Sequence, residues 1–433
     1  MTTVDSSVAD SSIGTKHNVN APALDRTWKL PITLGVFALV AVIMFVVFGR
    51  SGSSTFGFSA SGVGAIKLPS LTVPTRAFGS VVAVLAVAMS IGSAVLVSRR
   101  RATPRWYVAI FAVLVVVGFL AWAAAGHSLP ITGMLVQSLA LSTPLIFGAL
   151  GGVISERVGI VNVAIEGQLL AGAFVSAVVA SVTQSVVAGV IASMVAGVLV
   201  SFVLGAFSIK YAVNQVIVGI VLNGLVLALT TFLYQTVLVN NADVLNSPPL
   251  LHSIPIPGLV LIPVLGPLLF DQTIIVYLMY VAVIMVFFGL FRTRWGLRVR
   301  SVGEHPQAAD TVGINVNRTR FWNVSLAGAI VGLGGAYFTI GNVGSFSQNI
   351  TSGAGYIALA AVIFGRWDPV RATLAALLFG FANELQYALT GIGSPVPSQF
   401  LLMLPYVVTI FAVAGLVGRV RGPAASGRPY LKG

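Results

Sequence analysis

The stretch LPITLGVFALVAVIMFVVF, Leu30–Phe48, is 19 residues long and carries no charge. Wound as an α-helix it spans about 28 Å, close to the thickness of a bilayer's hydrocarbon core. Ser80–Val97 and Trp106–Ala125 repeat the pattern. Of the 433 residues, 57% are hydrophobic and 8% charged, too few charges to cover a water-soluble fold of this size. In lipid the backbone must satisfy its own hydrogen bonds, so the fold class is all-α, a polytopic helical membrane protein. Hydropathy places spans near 30–48, 79–97, 106–125, 134–154, 163–181, 185–208, 212–238, 273–291, 321–341, 356–366, 369–388 and 400–417. This gives about 10–12 transmembrane helices, of which 356–366 is too short to cross alone as a straight helix.

The net charge of +13 would suggest a nucleic-acid partner in a soluble protein. Its placement argues otherwise. With a cytoplasmic N-terminus, all but three of the 24 basic residues (Arg50, Lys67 and Arg76) fall on the cytoplasmic side or at its edge. Arg99, Arg100, Arg101 and Arg105 form one cluster, and Arg292, Arg294, Arg298, Arg300, Arg318 and Arg320 lie in another loop. Basic loops resist translocation, so the charge reports topology: both termini cytoplasmic, and no nucleic acid.

Residues 1–28, rich in Ser, Thr, Asp and Asn without apolar period, read as a disordered cytosolic tail. Residues 29–128 form an N-terminal extension of about three spans, and 421–433 a cytosolic C-terminal tail. The first apolar run is too long and too distant from the start for a cleaved signal peptide. The absence of cysteine excludes disulfides and thiolate metal sites. His17, His127, His252 and His305 all fall in tails or loops, without a metal-binding spacing, so neither metal nor cofactor is expected. A preponderance of Arg over Lys points to a G+C-rich bacterial genome. A proline-rich outward loop covers about 239–272 and is expected to be extended or turn-rich.

Polar residues inside the apolar pattern mark the candidate site. Asn162 and Glu166 are four apart and share a helix face, while Gly159 and Gly167 permit a helix break or close packing. A carboxylate at membrane depth faces the protein interior or a watery path. Glu166 is therefore a structural clamp or part of a discontinuous segment lining a polar pathway. Asn223, mid-span, either bridges helices or faces that path. Asn214 reads as an N-cap. Gly365–Pro369 reads as an interfacial turn, with Asp368 capping the next helix and Arg366 and Trp367 at the headgroups. Asn383, Glu384 and Gln386 are expected in solvent near a span's outer end.

In the loop 292–320, Gly303, Glu304 and His305 precede Pro306, and Gly313 follows Val312. Proline suits a helix's first turn and glycine the position past its end, so a short helix is expected here. Its small residues Ala308 and Ala309 either admit a partner protein's surface or lie on lipid headgroups. No G-x-x-x-x-G-K-[ST] occurs, so the chain binds no ATP through a P-loop. No nucleophile elbow or metalloprotease motif occurs either, and no enzyme activity is expected.

These residues resemble a known family. Glu156–Gly167 is similar to the E-R-x-G-x-x-N-[IV]-x-x-E-G signature of ABC transporter permeases in the branched-chain amino-acid/ribose permease family, nucleoside and simple-sugar branch. Asn214–Asn223 resembles its N-[EQ]-V-I-x-G-x-x-L-N block, and Gly355–Trp367 its late G-[FY]-I-A-L-A-A-V-I-F-G block. Gly296–Glu304 with Ala308–Asn315 resembles the loop that docks on the ATPase. Val158, Ala164 and His305 depart mildly from the pattern, and 1–128 lies mostly outside it.

The resemblance implies a type II ABC importer-like permease core over 129–420, in a bacterial cytoplasmic membrane. It also implies three partners: a second, related permease in a heterodimer, a cytoplasmic ABC ATPase, and an extracytoplasmic substrate-binding lipoprotein. Asn162, Glu166, Gly167 and Asn223 would border the substrate path. Gly303, Glu304, Pro306, Ala308, Ala309 and Gly313 would form the ATPase coupling site. The expected solute is a nucleoside; the alternatives are a simple sugar such as ribose or galactose on the same machinery, or an ion-coupled secondary carrier that would need Glu166 to titrate.

Overall fold

The computed structural model describes residues 28–59, 68–394, 396–397, 399–403 and 422–430. Apart from Trp28, the tail expected over 1–28 lies outside the described residues, as does most of the span expected at 400–417.

Helix α1 (Lys29–Val42) ends in a π-helical turn through Val47; strands β1 (Ser53–Gly57) and β2 (Leu71–Pro74) follow, then α2 (Thr75–Ser98) and α3 (Arg105–Ala123). Strand β3 (Ser128–Pro130) leads into α4 (Ile131–Arg157), α5 (Ile165–Thr183), α6 (Val186–Gly205) and α7 (Gln215–Leu233). The outer loop holds α8 (Ala242–Leu245), β4 (Ile254–Pro255), α9 (Leu265–Phe270) and β5 (Asp271–Gln272). Then come α10 (Ile274–Arg292), α11 (Arg294–Glu304), α12 (Pro306–Thr311), α13 (Val316–Phe338), α14 (Ala354–Phe364) and α15 (Pro369–Gly391). Among the described residues, nine helical stretches are long and apolar enough to cross a membrane. The expected spans from 30–48 to 369–388 each coincide with a helix, and α14 is the short one, at 11 residues.

The chain divides into two compact units, Met1–Arg50 with Arg76–Trp122, and Ser51–Thr75 with Ala123–Gly433. In the first, Phe45 is buried with Ala41, Val82 and Ala83, and the Trp122 indole N–H donates to the Phe48 carbonyl at 2.8 Å. Apolar side chains such as Val36, Leu39, Val84 and Val113 face outward, as suits a lipid solvent.

In the second unit β1 pairs antiparallel with β2 and parallel with β3. The hydroxyl of Thr132, at the start of α4, donates to the Phe58 carbonyl at 2.8 Å. The helical core is built on close backbone approach. A Cβ at Gly197 on α6 would collide with the Gly328 carbonyl on α13, and one at Gly332 with the Ser193 carbonyl. Lipid supplies no hydrophobic drive between helices, so contact of this closeness is what holds α6 to α13. The loop 239–272 is turn-rich, with β4 pairing antiparallel with β5. Asn246 fastens it to the chain beyond α13 through two bonds with Phe346, donating to its carbonyl at 2.9 Å and accepting from its N–H at 2.6 Å.

Candidate functional site

Helix α4 stops at Arg157 because the next turn cannot continue. Gly159 takes φ +94°, a region that favours glycine. The backbone then runs to Ile165, where α5 begins. Between the two helices, the Val161 N–H donates to Gln215 Oε1 at 2.7 Å. The Asn162 amide donates to Gln168 Oε1 at 3.1 Å, and Gln168 Nε2 donates to Ser201 Oγ at 2.9 Å. Asn162 is fully buried, and its Oδ1 has no hydrogen-bond partner among the described residues.

Glu166 sits in the first turn of α5, 8% exposed. Its Oε1 accepts from the Thr351 hydroxyl at 2.6 Å and the Gly353 N–H at 2.9 Å; its Oε2 accepts from the Gly355 N–H at 2.6 Å. The carboxylate thus meets the orphan N–H groups, and the positive dipole end, at the start of α14. Gly355 is required here, because a Cβ would collide with the Glu166 backbone nitrogen. Asn223 ties the arrangement to α7. Its Oδ1 accepts from the Gly167 N–H at 2.8 Å, and its Nδ2 donates to the Val163 carbonyl at 2.9 Å and the Tyr356 hydroxyl at 3.1 Å. Two interrupted helices, α5 and α14, therefore begin side by side within the protein, locked by one carboxylate and one amide.

Asn223→Asp keeps the acceptor for Gly167 but turns a second oxygen toward the Val163 carbonyl. Each buried group left unsatisfied costs about 1–3 kcal/mol, so the variant is expected to unfold at a clearly lower temperature in detergent micelles than the wild type. An unchanged midpoint would show that the amide donors carry no weight.

The second cluster is the hairpin α11–α12. Val299, Val302 and Gly303 of α11 are buried, while Arg294 and Arg298 are exposed. A Cβ at Gly303 would collide with the Arg157 carbonyl, so the hairpin rests directly on the end of α4. Pro306 opens α12, and Gly313, at φ +85°, lies just beyond its end, as the sequence implies. The expectation that Ala308 and Ala309 admit a partner's surface or lie on headgroups needs correction for Ala309. Ala309 is 2% exposed and belongs to the core with Val302 and Val316. One residue along a helix rotates about 100°, so Ala308 points outward instead, with Gln307, Thr311 and Val312; Val312 is 75% exposed. Glu304 is also exposed.

Asn214 caps α7, accepting from the Val216 N–H at 3.0 Å, and Asp368 caps α15, accepting from the Arg371 N–H at 3.0 Å. Trp367 does not rest its indole N–H among headgroups but donates it to buried Glu156 at 2.5 Å, while its carbonyl accepts from Arg157 Nε at 2.9 Å. Glu384 is half-buried, not simply solvated: with Asp271, Gln137 and Thr132 it lines a cavity of about 560 Å³. The sequence reading did not single out Gln168, Gln215, Thr351 or Tyr356. The two glutamines carried a usable signal, as amides set among apolar residues.

The family described as branched-chain amino acid transport system / permease component matches residues 134–413. The chain is 40% identical, over 305 residues, to the guanosine ABC transporter permease protein NupQ of Bacillus subtilis, covering 68% of this chain and 95% of that one. It is 42% identical over 311 residues to the nucleoside ABC transporter permease protein NupC of Lactococcus lactis, covering 69% and 96%. To the putative glucose ABC transporter permease protein TsgC13 of Haloferax volcanii it is 32% identical over 307 residues, covering 66% and 92%. Those first two bacteria each hold a second, weaker match, at 26% and 25% identity. No solved structure matches. Interrupted helices packed through glycines, a hairpin seated on α4 and a match over most of the helical core lead to one conclusion: this chain is a multi-pass membrane protein that belongs to the ABC transporter permease family of the branched-chain amino acid transport system type.

Proposed function

We propose that the chain is the membrane permease of an ATP-driven nucleoside importer. The observation that carries this reading is the outward face of α12, where Gln307, Ala308, Thr311 and exposed Val312 stand on a hairpin packed against the end of α4. A short helix with an apolar tip, buttressed by a span, suits the receipt of force from a partner. An ATPase supplies that force, since the sequence has no P-loop of its own. The nucleoside follows from relatives named for guanosine and nucleosides at 40% and 42% identity, against 32% for one named for glucose.

The second permease follows from the paired matches within single organisms. The loop 239–272 is the surface for a substrate-binding lipoprotein. The basic loops support a topology with both termini in the cytoplasm. Asn162, Glu166, Gly167 and Asn223 border the path as the scaffold that fixes where α5 and α14 begin. An ion-coupled carrier is disfavoured, because both Glu166 oxygens are already engaged by three donors.

Ala308→Trp is expected to abolish co-purification of the ATPase while leaving the permease in the membrane at normal levels. Full ATPase recovery with that variant would exclude the α12 face as the docking surface. Uptake of labelled guanosine and uridine, beside ribose, in cells expressing the whole transporter tests the solute. Nucleoside uptake lost with an ATPase P-loop lysine variant supports the proposal; ribose uptake with that dependence moves the solute to sugars; uptake indifferent to the ATPase excludes the machine.

A further inference from the structure

The segment Gly422–Tyr430 returns to the hairpin and touches each element of the site's α4–α13 end. The Ala425 N–H donates to the Gly303 carbonyl at 2.9 Å, and the Ala424 N–H to Glu304 Oε2 at 3.2 Å. The Tyr430 phenol is coupled electrostatically to Asp310 of α12. Desolvation first, then the neighbouring Asp310 carboxylate, raises the phenol above its ordinary range. On α13, buried Arg320 donates from Nη1 to the Arg428 carbonyl at 3.0 Å. Its Nε and Nη2 are buried without a partner among the described residues. The segment also reaches the break between α4 and α5: the Ala425 carbonyl lies beside Gly159, and Gly427 beside Val161. Gly422 lies against the Trp367 ring.

Pro423 and Ala425 are buried, so this is a seated strand of chain with a fixed register. A cavity of about 340 Å³ opens between Glu304–Gln307 and Ala424–Tyr430. Space between α12 and the tail, bonds from the tail to the end of α11 and close approach to the broken segment are what a mechanical linkage needs.

We propose that Gly422–Tyr430 is a relay that transmits displacement of α12 to the broken segment 158–164. The proposal rests on the importer reading. Movement of the α11–α12 hairpin pulls the tail through the Gly303 and Glu304 bonds, and the pull reaches Gly159 and Val161 through Ala425 and Gly427. Arg320, held by the Arg428 carbonyl, is the fulcrum on α13. These are positioning residues, none of which contacts solute.

The test compares the complete transporter with one whose permease stops after residue 421, and with a full-length Tyr430→Phe variant, all in proteoliposomes with ATPase and binding protein. The full-length Tyr430→Phe variant keeps the tail in place, so the relay stays testable even if the shortened chain folds poorly. The reading is labelled guanosine transported per ATP hydrolysed. For the shortened permease the expected result is normal ATPase co-purification and basal hydrolysis, with transport per ATP lowered tenfold or more; Tyr430→Phe should give a smaller loss of the same kind. Unchanged transport per ATP in both variants overturns the relay and leaves the importer reading standing. Loss of ATPase co-purification on truncation overturns it too, because the tail would then serve assembly. If the unaltered transporter moves guanosine without ATP, the importer reading fails and the relay with it.

Discussion

Glu166→Ala should give a large loss of stability, about 3 kcal/mol or more. The carboxylate accepts three hydrogen bonds, from Thr351, Gly353 and Gly355, in a buried site. Removing it strands those donors at the start of α14, and each buried orphan costs about 1–3 kcal/mol. Glu166→Gln tests the reasoning more sharply. The amide keeps one acceptor oxygen but presents N–H groups to donors on its other side, so it should recover less than half of the loss. Heating detergent-solubilised protein and measuring the fraction that remains monodisperse gives the ranking. If Glu166→Gln matched the wild type, the carboxylate would not be what anchors α14. The same variant bears on function: uptake that falls in step with folded protein, at every pH, accords with a clamp, whereas a displaced pH profile would revive the ion-coupled carrier.

Gly332→Leu is expected to abolish recovery of folded protein. Even a Cβ at this position would collide with the Ser193 carbonyl, and the remaining atoms of leucine have nowhere to go while α6 and α13 stay in contact. Overpacking of a tight core commonly costs about 1–3 kcal/mol, but here the obstacle is backbone, which cannot rotate aside as a side chain does. Gly224→Leu is the control. It lies within α7, exposed, and nothing stands within 4 Å of a Cβ there. That variant should express normally, as leucine favours both helix and lipid. Equal yields from the two variants would mean that the α6–α13 contact is looser than its geometry.

What the sequence made legible depended on range. Spans such as Leu30–Phe48 were readable because apolar length is a local property that bilayer thickness enforces. The caps by Asn214 and Asp368 were readable for the same reason, since each bonds an N–H two or three residues onward. Glu166 was legible as a clamp or a path residue, but its partner at the start of α14 was not, because the bonded groups lie 185 to 189 residues away. Trp367 was assigned to the headgroups because nothing near it in sequence announces Glu156, 211 residues distant. The inward turn of Ala309 was hidden because a six-residue helix is too short to display a hydrophobic period. The return of Gly422–Tyr430 was hidden because its composition reads as a loop and its bonds run to distant backbone.

The pairing of β1 with β3 bears on how the chain is made. During synthesis Ser53–Gly57 and Leu71–Pro74 leave the ribosome before Ser128–Pro130, and their pairing leaves the outer edge of β1 open. The strand that fills that edge, Ser128–Pro130, is separated from it by two membrane-crossing helices, α2 and α3. Both must have crossed before the partners meet on one side of the bilayer. If either helix stalls, the strands are left on opposite sides of the bilayer and the β1 edge, paired on both sides in the finished chain, stays open, a mark by which quality control could tell the two apart.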